Sequence, residues 1–125
     1  MIYAEKKNVH EERFIELLEK SKDILVSRLR KNNNISALDF EGLVCEKMQE
    51  ASSGTEFEGT IKQTEAYAFP DIVANGYFGV EVKITTKDHW TSTGNSVLET
   101  SRIEEVERIF IMFGKLGGEP DVRYR

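Results

Sequence analysis

The stretch from Phe78 to Thr85 constrains the fold more than any other. Phe78, Val80, Val82 and Ile84 alternate there with Gly79, Glu81, Lys83 and Thr85. A strict period of two belongs to a β-strand with one apolar face and one polar face. Slipping the pairing of such a strand by one residue would turn its apolar row toward water, so its register is tightly set. Asn75-Gly76, just upstream, is a strong hairpin signal and makes Ala68–Val73 the expected partner strand.

Around this hairpin the other periods read as follows. Asn8 and Glu11 have capping-box spacing and predict the start of a first helix. Phe14, Leu17, Leu18, Leu25 and Leu29 then recur at helical intervals, with Arg28, Arg30 and Lys31 in the last turn and a break at Asn32-Asn33-Asn34. Ser36 with Asp39 caps a second helix, which carries Phe40, Leu43, Val44 and Met48 on one side and ends at Ser52-Ser53-Gly54. Phe57, Gly59, Ile61 and Gln63 suggest a strand. After the hairpin come a polar loop over Thr86–Gly94, a short helix around Val97–Glu107 and an apolar run from Ile109 to Phe113, which suits a strand buried on both faces. Gly117-Gly118 turns the chain into a last strand at Asp121–Arg125. The expected fold is mixed α/β, with a sheet covered on both sides. The chain stops on that last strand, which suggests a fragment of a longer protein.

At 125 residues the chain supports one core, so residues 1–125 read as one domain. No apolar run approaches the roughly 20 residues of a membrane span. One cysteine, Cys45, permits no internal disulfide and points to a reducing cytoplasm. With His10 and His89 far apart, it also excludes the usual zinc spacings. The net charge of −5 argues against indiscriminate phosphate binding. It is uneven: residues 36–66 carry seven acids against two bases, while residues 1–35 carry eight bases against six acids.

Glu81 and Lys83 project together from the polar face of their strand, and the turn decides where Asp71 lies. A two-residue turn at Asn75-Gly76 puts Asp71 on the opposite face. A three-residue loop, Ala74-Asn75-Gly76, pairs Val73 with Tyr77 and Asp71 with Gly79, which sets Asp71 diagonal to Glu81 with Gly79 leaving space between them. The odd-length loop, or an equivalent bulge, is expected. Two carboxylates about 5 Å apart repel by about 3 kcal/mol at an effective dielectric of 20. Lys83 offsets part of this and a divalent cation offsets more. Magnesium takes one or two carboxylates together with water and phosphate oxygens, so Asp71 and Glu81 suffice as protein donors. An ammonium two residues further on orients or deprotonates a water, and the set suits phosphodiester hydrolysis.

Pro70-Asp71, nine intervening residues and then Glu81-Val82-Lys83 resemble the signature of the PD-(D/E)xK, or restriction-endonuclease-like, nuclease superfamily. The order of elements around the triplet resembles that superfamily's core over residues 36–115. Trp90 through Lys115 is similar to the stretch after the lysine in some type II restriction enzymes. The resemblance implies a three-layer α/β/α core with a mixed central sheet (αβββαβ), here preceded by an extra N-terminal helix. It implies a magnesium-dependent endonuclease acting on double-stranded DNA, of restriction, repair or junction-resolving type, with a homodimer for cutting both strands. By the same resemblance Asp71, Glu81 and the main-chain carbonyl of Val82 hold magnesium, and Lys83 positions the attacking water. Glu41, in Phe40-Glu41-Gly42-Leu43-Val44, completes the site, with Glu46 as the other choice. The chain is shorter than such enzymes usually are and shows no target-recognition element.

Each of these residues also has a plainer reading. Glu81 and Lys83 would make an ordinary surface ion pair on an edge strand. Asp71 after Pro70 is a common turn former, and Glu41 would be an exposed helix residue. Trp90 either stacks on a base or covers the edge of the core. Thr85, Asn95 and Ser96, with Thr86, Thr91, Ser92 and Thr93, contact phosphates or simply form a loop. Cys45 is a small buried residue, and Arg28, Arg30 and Lys31 cap their helix. The alternative for the whole chain is a non-catalytic DNA- or protein-binding module with a vestigial nuclease fold.

Overall fold

The computed structural model describes residues 2–65, 68–90 and 106–125, with side chains from residue 11 onward. Helix α1 runs over Ile2–Lys31 and α2 over Ala37–Ala51, followed by strands β1 (Ile61–Gln63), β2 (Ile72–Ala74), β3 (Phe78–Thr85), β4 (Arg108–Lys115) and β5 (Asp121–Tyr124). The strands form one mixed sheet in the order β1-β2-β3-β4-β5. Only β3 and β4 run parallel; the other pairs are antiparallel. A parallel pair needs a crossover, which residues 86–107 supply. The fold is mixed α/β. No helix among the described residues is long and apolar enough to cross a membrane.

The caps and breaks explain the helix limits. Ser36 stands in extended backbone and its Oγ accepts from the Asp39 N–H at 3.1 Å, opening α2. Ser52 closes the helix, as its position before Gly54 predicts. The expected start of α1 at Asn8 is wrong: the helix already runs from Ile2 and carries Asn8 inside it. Capping-box spacing also occurs within helices, where nothing breaks the turn.

Both helices lie on one face of the sheet. Phe78 and Val80 of β3, Phe110 and Met112 of β4, Ile72 and Ala74 of β2, Ile61 and Val122 are buried there with Phe14, Leu18, Leu25 and Leu29 of α1 and Phe40, Val44 and Met48 of α2. The apolar row of β3 thus packs inward, as its alternation requires. Gly114 admits α2 at close range, since a Cβ there would meet Phe40 Cζ at 2.5 Å. On the other face the expectation for β4 is corrected. Ile109 and Phe113 are half-buried and Ile111 is 37% exposed, so the strand is not buried on both sides. A short apolar run shows that a strand is largely buried without showing that each face is covered. The helix expected around Val97–Glu107, and with it the second helical layer, lies outside the described residues except for Val106 and Glu107, which are not helical.

Two strands are shorter than their patterns suggest. Phe57 and Gly59 belong to a turn. Gly59 sits at φ +79°, Thr60 Oγ1 donates to the Phe57 carbonyl, and the Phe57 ring is buried edge-on to Phe14. The expected partner strand Ala68–Val73 reduces to Ile72–Ala74. The loop between β2 and β3 is odd, but it is Asn75-Gly76-Tyr77, because Ala74 pairs with Phe78, Val73 with Gly79 and Ile72 with Val80. Asn75 and Gly76 both take positive φ, 56° and 65°, the conformation this Asn-Gly pair tolerates best. The register is therefore two residues from the expected one, and face parity is preserved.

Candidate active site at the splayed end of the hairpin

Continuing the β2–β3 register one step past Ile72 sets Asp71 directly across from Glu81 rather than diagonal to it. The two carboxylates share the strand face opposite Ile72 and Val80, at the end of the sheet where Asp71 is still within electrostatic reach of Glu41 on α2. Here β2 ends and β3 continues, and the Asp71 side chain takes over the lost ladder: its Oδ2 accepts the Val82 N–H at 2.8 Å. Thr64 grips the same segment from the β1 side. Its N–H donates to the Asp71 carbonyl at 2.8 Å, and its hydroxyl lies 2.8 Å from the Pro70 carbonyl and 3.0 Å from that of Asp71. The gap expected at Gly79 from a pairing with Asp71 is absent: Gly79 pairs with Val73 and does not lie between the acids. Its missing side chain is filled by Pro70, whose Cγ an added Cβ would overlap. Gly79→Ala is accordingly expected to lift Pro70-Asp71 off the strand at a cost of about 1–3 kcal/mol, visible as fast exchange of the Val82 amide.

Glu81 is tightly placed. Its Oε2 lies 3.7 Å from Lys83 Nζ, and its Oε1 is buried with no hydrogen-bond partner among the described residues. Burial chiefly, and the charge of Asp71 next, push the Glu81 carboxyl up to about 7, while Lys83 pulls it back. Glu41 sits on α2 with Oε1 accepting from Gln63 Nε2 at 3.1 Å. Burial raises its carboxyl above the ordinary range, the Gln63 hydrogen bond opposes this, and the charge of Asp71 adds to it. Asp71 therefore acts electrostatically on both glutamates. Glu46 is exposed on α2. Burial also raises the Cys45 thiol, with Glu41 contributing.

The other expected site residues fall as follows. Val82 presents its N–H to Asp71. Thr85 is buried, and its hydroxyl accepts from the Lys87 N–H at 3.2 Å, closing the loop after β3. Trp90 stands over the same sheet face, edge-on to Phe113 at 5.6 Å, with the Arg123 guanidinium 4.1 Å from its ring centre. Asn95 and Ser96 lie outside the described residues. Two contributors went unread in the sequence, Gln63 and Thr64. Both act through single hydrogen bonds across strands, for which the pattern along one strand carries no signal.

The donor set suits a hard cation at the level of two carboxylates, Asp71 and Glu81, with the orphaned Glu81 Oε1 available to it. Among the described residues no group of three His, Cys, Asp or Glu is arranged to hold a metal ion. A cleft of about 330 Å³ bounded by Arg13, Glu16, Lys20 and Glu56 lies elsewhere and holds none of these residues. No protein-family model, no curated protein and no solved structure matches the chain.

Proposed function

We propose that this chain is a nuclease domain of restriction-endonuclease-like fold, which hydrolyses phosphodiester bonds in double-stranded DNA with magnesium. The observation that carries the reading is the convergence of Asp71, Glu81 and Lys83 on one strand face, with Glu41 within electrostatic reach of Asp71. The helix, the antiparallel β1-β2-β3 and the crossover to a parallel β4 agree with that fold. The buried free Cys45 suits a cytoplasmic setting.

Asp71 and Glu81 would hold the cation, which supplies Lewis-acid polarisation of a phosphoryl oxygen. The chain's own groups do the rest. Asp71 is fixed by the Val82 N–H, which holds one of its oxygens in place. Glu81 is held by Lys83, and a bound cation would favour its ionised form. The Lys83 ammonium faces the position where negative charge builds on the phosphate, and Glu41 orients water from the α2 side.

The test is nicking of supercoiled plasmid by the full chain, in magnesium or in EDTA. Cutting is expected in magnesium alone. Lys83→Ala is expected to slow it by about 10²–10³-fold, the usual loss for one donor to developing charge, at a temperature where both proteins are fully folded. Undiminished cutting by Lys83→Ala, cutting in EDTA, or none by the wild type would overturn the reading.

A further inference from the structure

The sheet register lays out a second set of groups beside the carboxylates. Across β3, β4 and β5, Lys83 pairs with Phe113 and Phe113 with Arg123. One row over, Glu81 pairs with Ile111, which exchanges both backbone hydrogen bonds with Arg125, at 2.8 and 3.0 Å. Arg123 and Arg125 are two positions apart on β5 and so share the face that carries Glu81 and Lys83. Both are exposed.

Arg123 is also held in place. Its guanidinium lies 4.1 Å from the Trp90 ring centre, and Trp90 is braced edge-on against Phe113 at 5.6 Å with Lys115 Nζ 5.9 Å from its ring. Lys115 is itself fixed by Asp88 at 2.7 Å and by the Gly117 and Glu119 carbonyls at 2.9 Å. A stacked guanidinium keeps its in-plane donors free for an anion while losing little side-chain freedom on binding. Lys83 and Arg123 are two strand widths apart, about 10 Å. Over that length one strand of a DNA duplex advances about three nucleotides, at 3.4 Å each.

We propose that Arg123, stacked on Trp90, and Arg125 form the phosphate track of this sheet face and hold one strand of a DNA duplex as it leaves the carboxylates at Asp71 and Glu81. The inference rests on the nuclease reading for its substrate class and deepens it. It accounts for how a chain of net charge −5 engages a polyanion: Lys83, Arg123 and Arg125 share one face with the cation site. Trp90 serves as a brace for Arg123, neither a base-stacking platform nor a mere edge of the core.

The experiment is fluorescence anisotropy of a labelled 20-base-pair duplex with the full chain in calcium, titrated from 50 to 200 mM KCl. Each phosphate contact contributes about 0.9 to the slope of log affinity against log salt, or roughly threefold over that range. Arg123→Gln is expected to flatten the slope by about one and Arg123→Gln/Arg125→Gln by about two, while Arg123→Lys retains most of it. Trp90→Ala is expected to weaken binding with little change in slope, because the charge stays and its placement is lost. Arg13→Gln, on α1, leaves the slope unchanged. If the double variant keeps the wild-type slope, or if wild type shows no salt-dependent binding, the track is overturned. Should the arginines set the slope while wild type never cuts plasmid in magnesium, the track stands and the nuclease reading fails.

Discussion

In EDTA, Glu81→Gln is expected to stabilise the chain at pH 8 by about 1–2 kcal/mol, allowing for solvent screening of a half-buried carboxyl, and to remove most of its loss of stability between pH 4.5 and 7. The carboxyl titrates from its ordinary value of 4.5 to about 7 in the folded state, so the fold prefers the protonated acid. The stability this group contributes is complete below about pH 4.5 and falls as pH rises, until about 7, where it is gone. Each pH unit of that interval is worth up to about 1.4 kcal/mol before solvent screening. Glutamine keeps the shape, cannot ionise, and offers Asp71 a permanent N–H. Urea melts of both proteins at half-unit pH steps measure the difference; parallel profiles would remove the carboxylate pair as a source of strain. Magnesium is expected to act in the same direction on the wild type alone, raising its midpoint at pH 8 and leaving Glu81→Gln nearly unmoved, because a bound cation favours the ionised pair.

Phe14→Ala is expected to cost about 3–5 kcal/mol. That is a fall of roughly 10–20 °C in melting temperature for a domain of this size. Phe14 is fully buried. Its ring stacks on Phe78 at 4.4 Å and an interplanar angle of 4°, meets Phe57 edge-on at 5.4 Å and tilts against Phe110 at 5.5 Å. It therefore ties α1 to the turn before β1 and to the two parallel strands, and no neighbour is free to refill its volume. Ile15→Ala, one residue on and 36% exposed, is the control and is expected to cost under about 1 kcal/mol. Equal melting of the two variants would show that α1 does not organise the core.

What the sequence discloses here follows from how local each constraint is. The β3 strand, its inward row and the break at Asn32-Asn33-Asn34 are written in neighbouring residues, and all three appear in the structure. The Ser36 cap is equally local. The parity of the hairpin loop was legible because only an odd loop puts Asp71 and Glu81 on one face, yet the register was misplaced by two residues. Parity comes from the pattern, whereas the choice between Ala74 and Tyr77 as a loop residue is settled by burial: Ala74 is inside and must stay in the strand. Gly79 was misread for a similar reason. A glycine shows that something comes close without saying what, and here it is Pro70. The Trp90–Arg123 stack joins residues 33 positions apart with β4 between them, and no single-strand pattern reports it.

Asp71 has two occupations, since the carboxylate suited to a cation also fastens the end of a strand by receiving the Val82 amide. A descendant of this chain that abandoned its chemistry would still lose stability by discarding that aspartate, and so would tend to keep it. Retention of Asp71 is thus a poor witness to activity. A replaced Lys83 leaves the fastener untouched, which makes position 83 the place where decay of function would be written first.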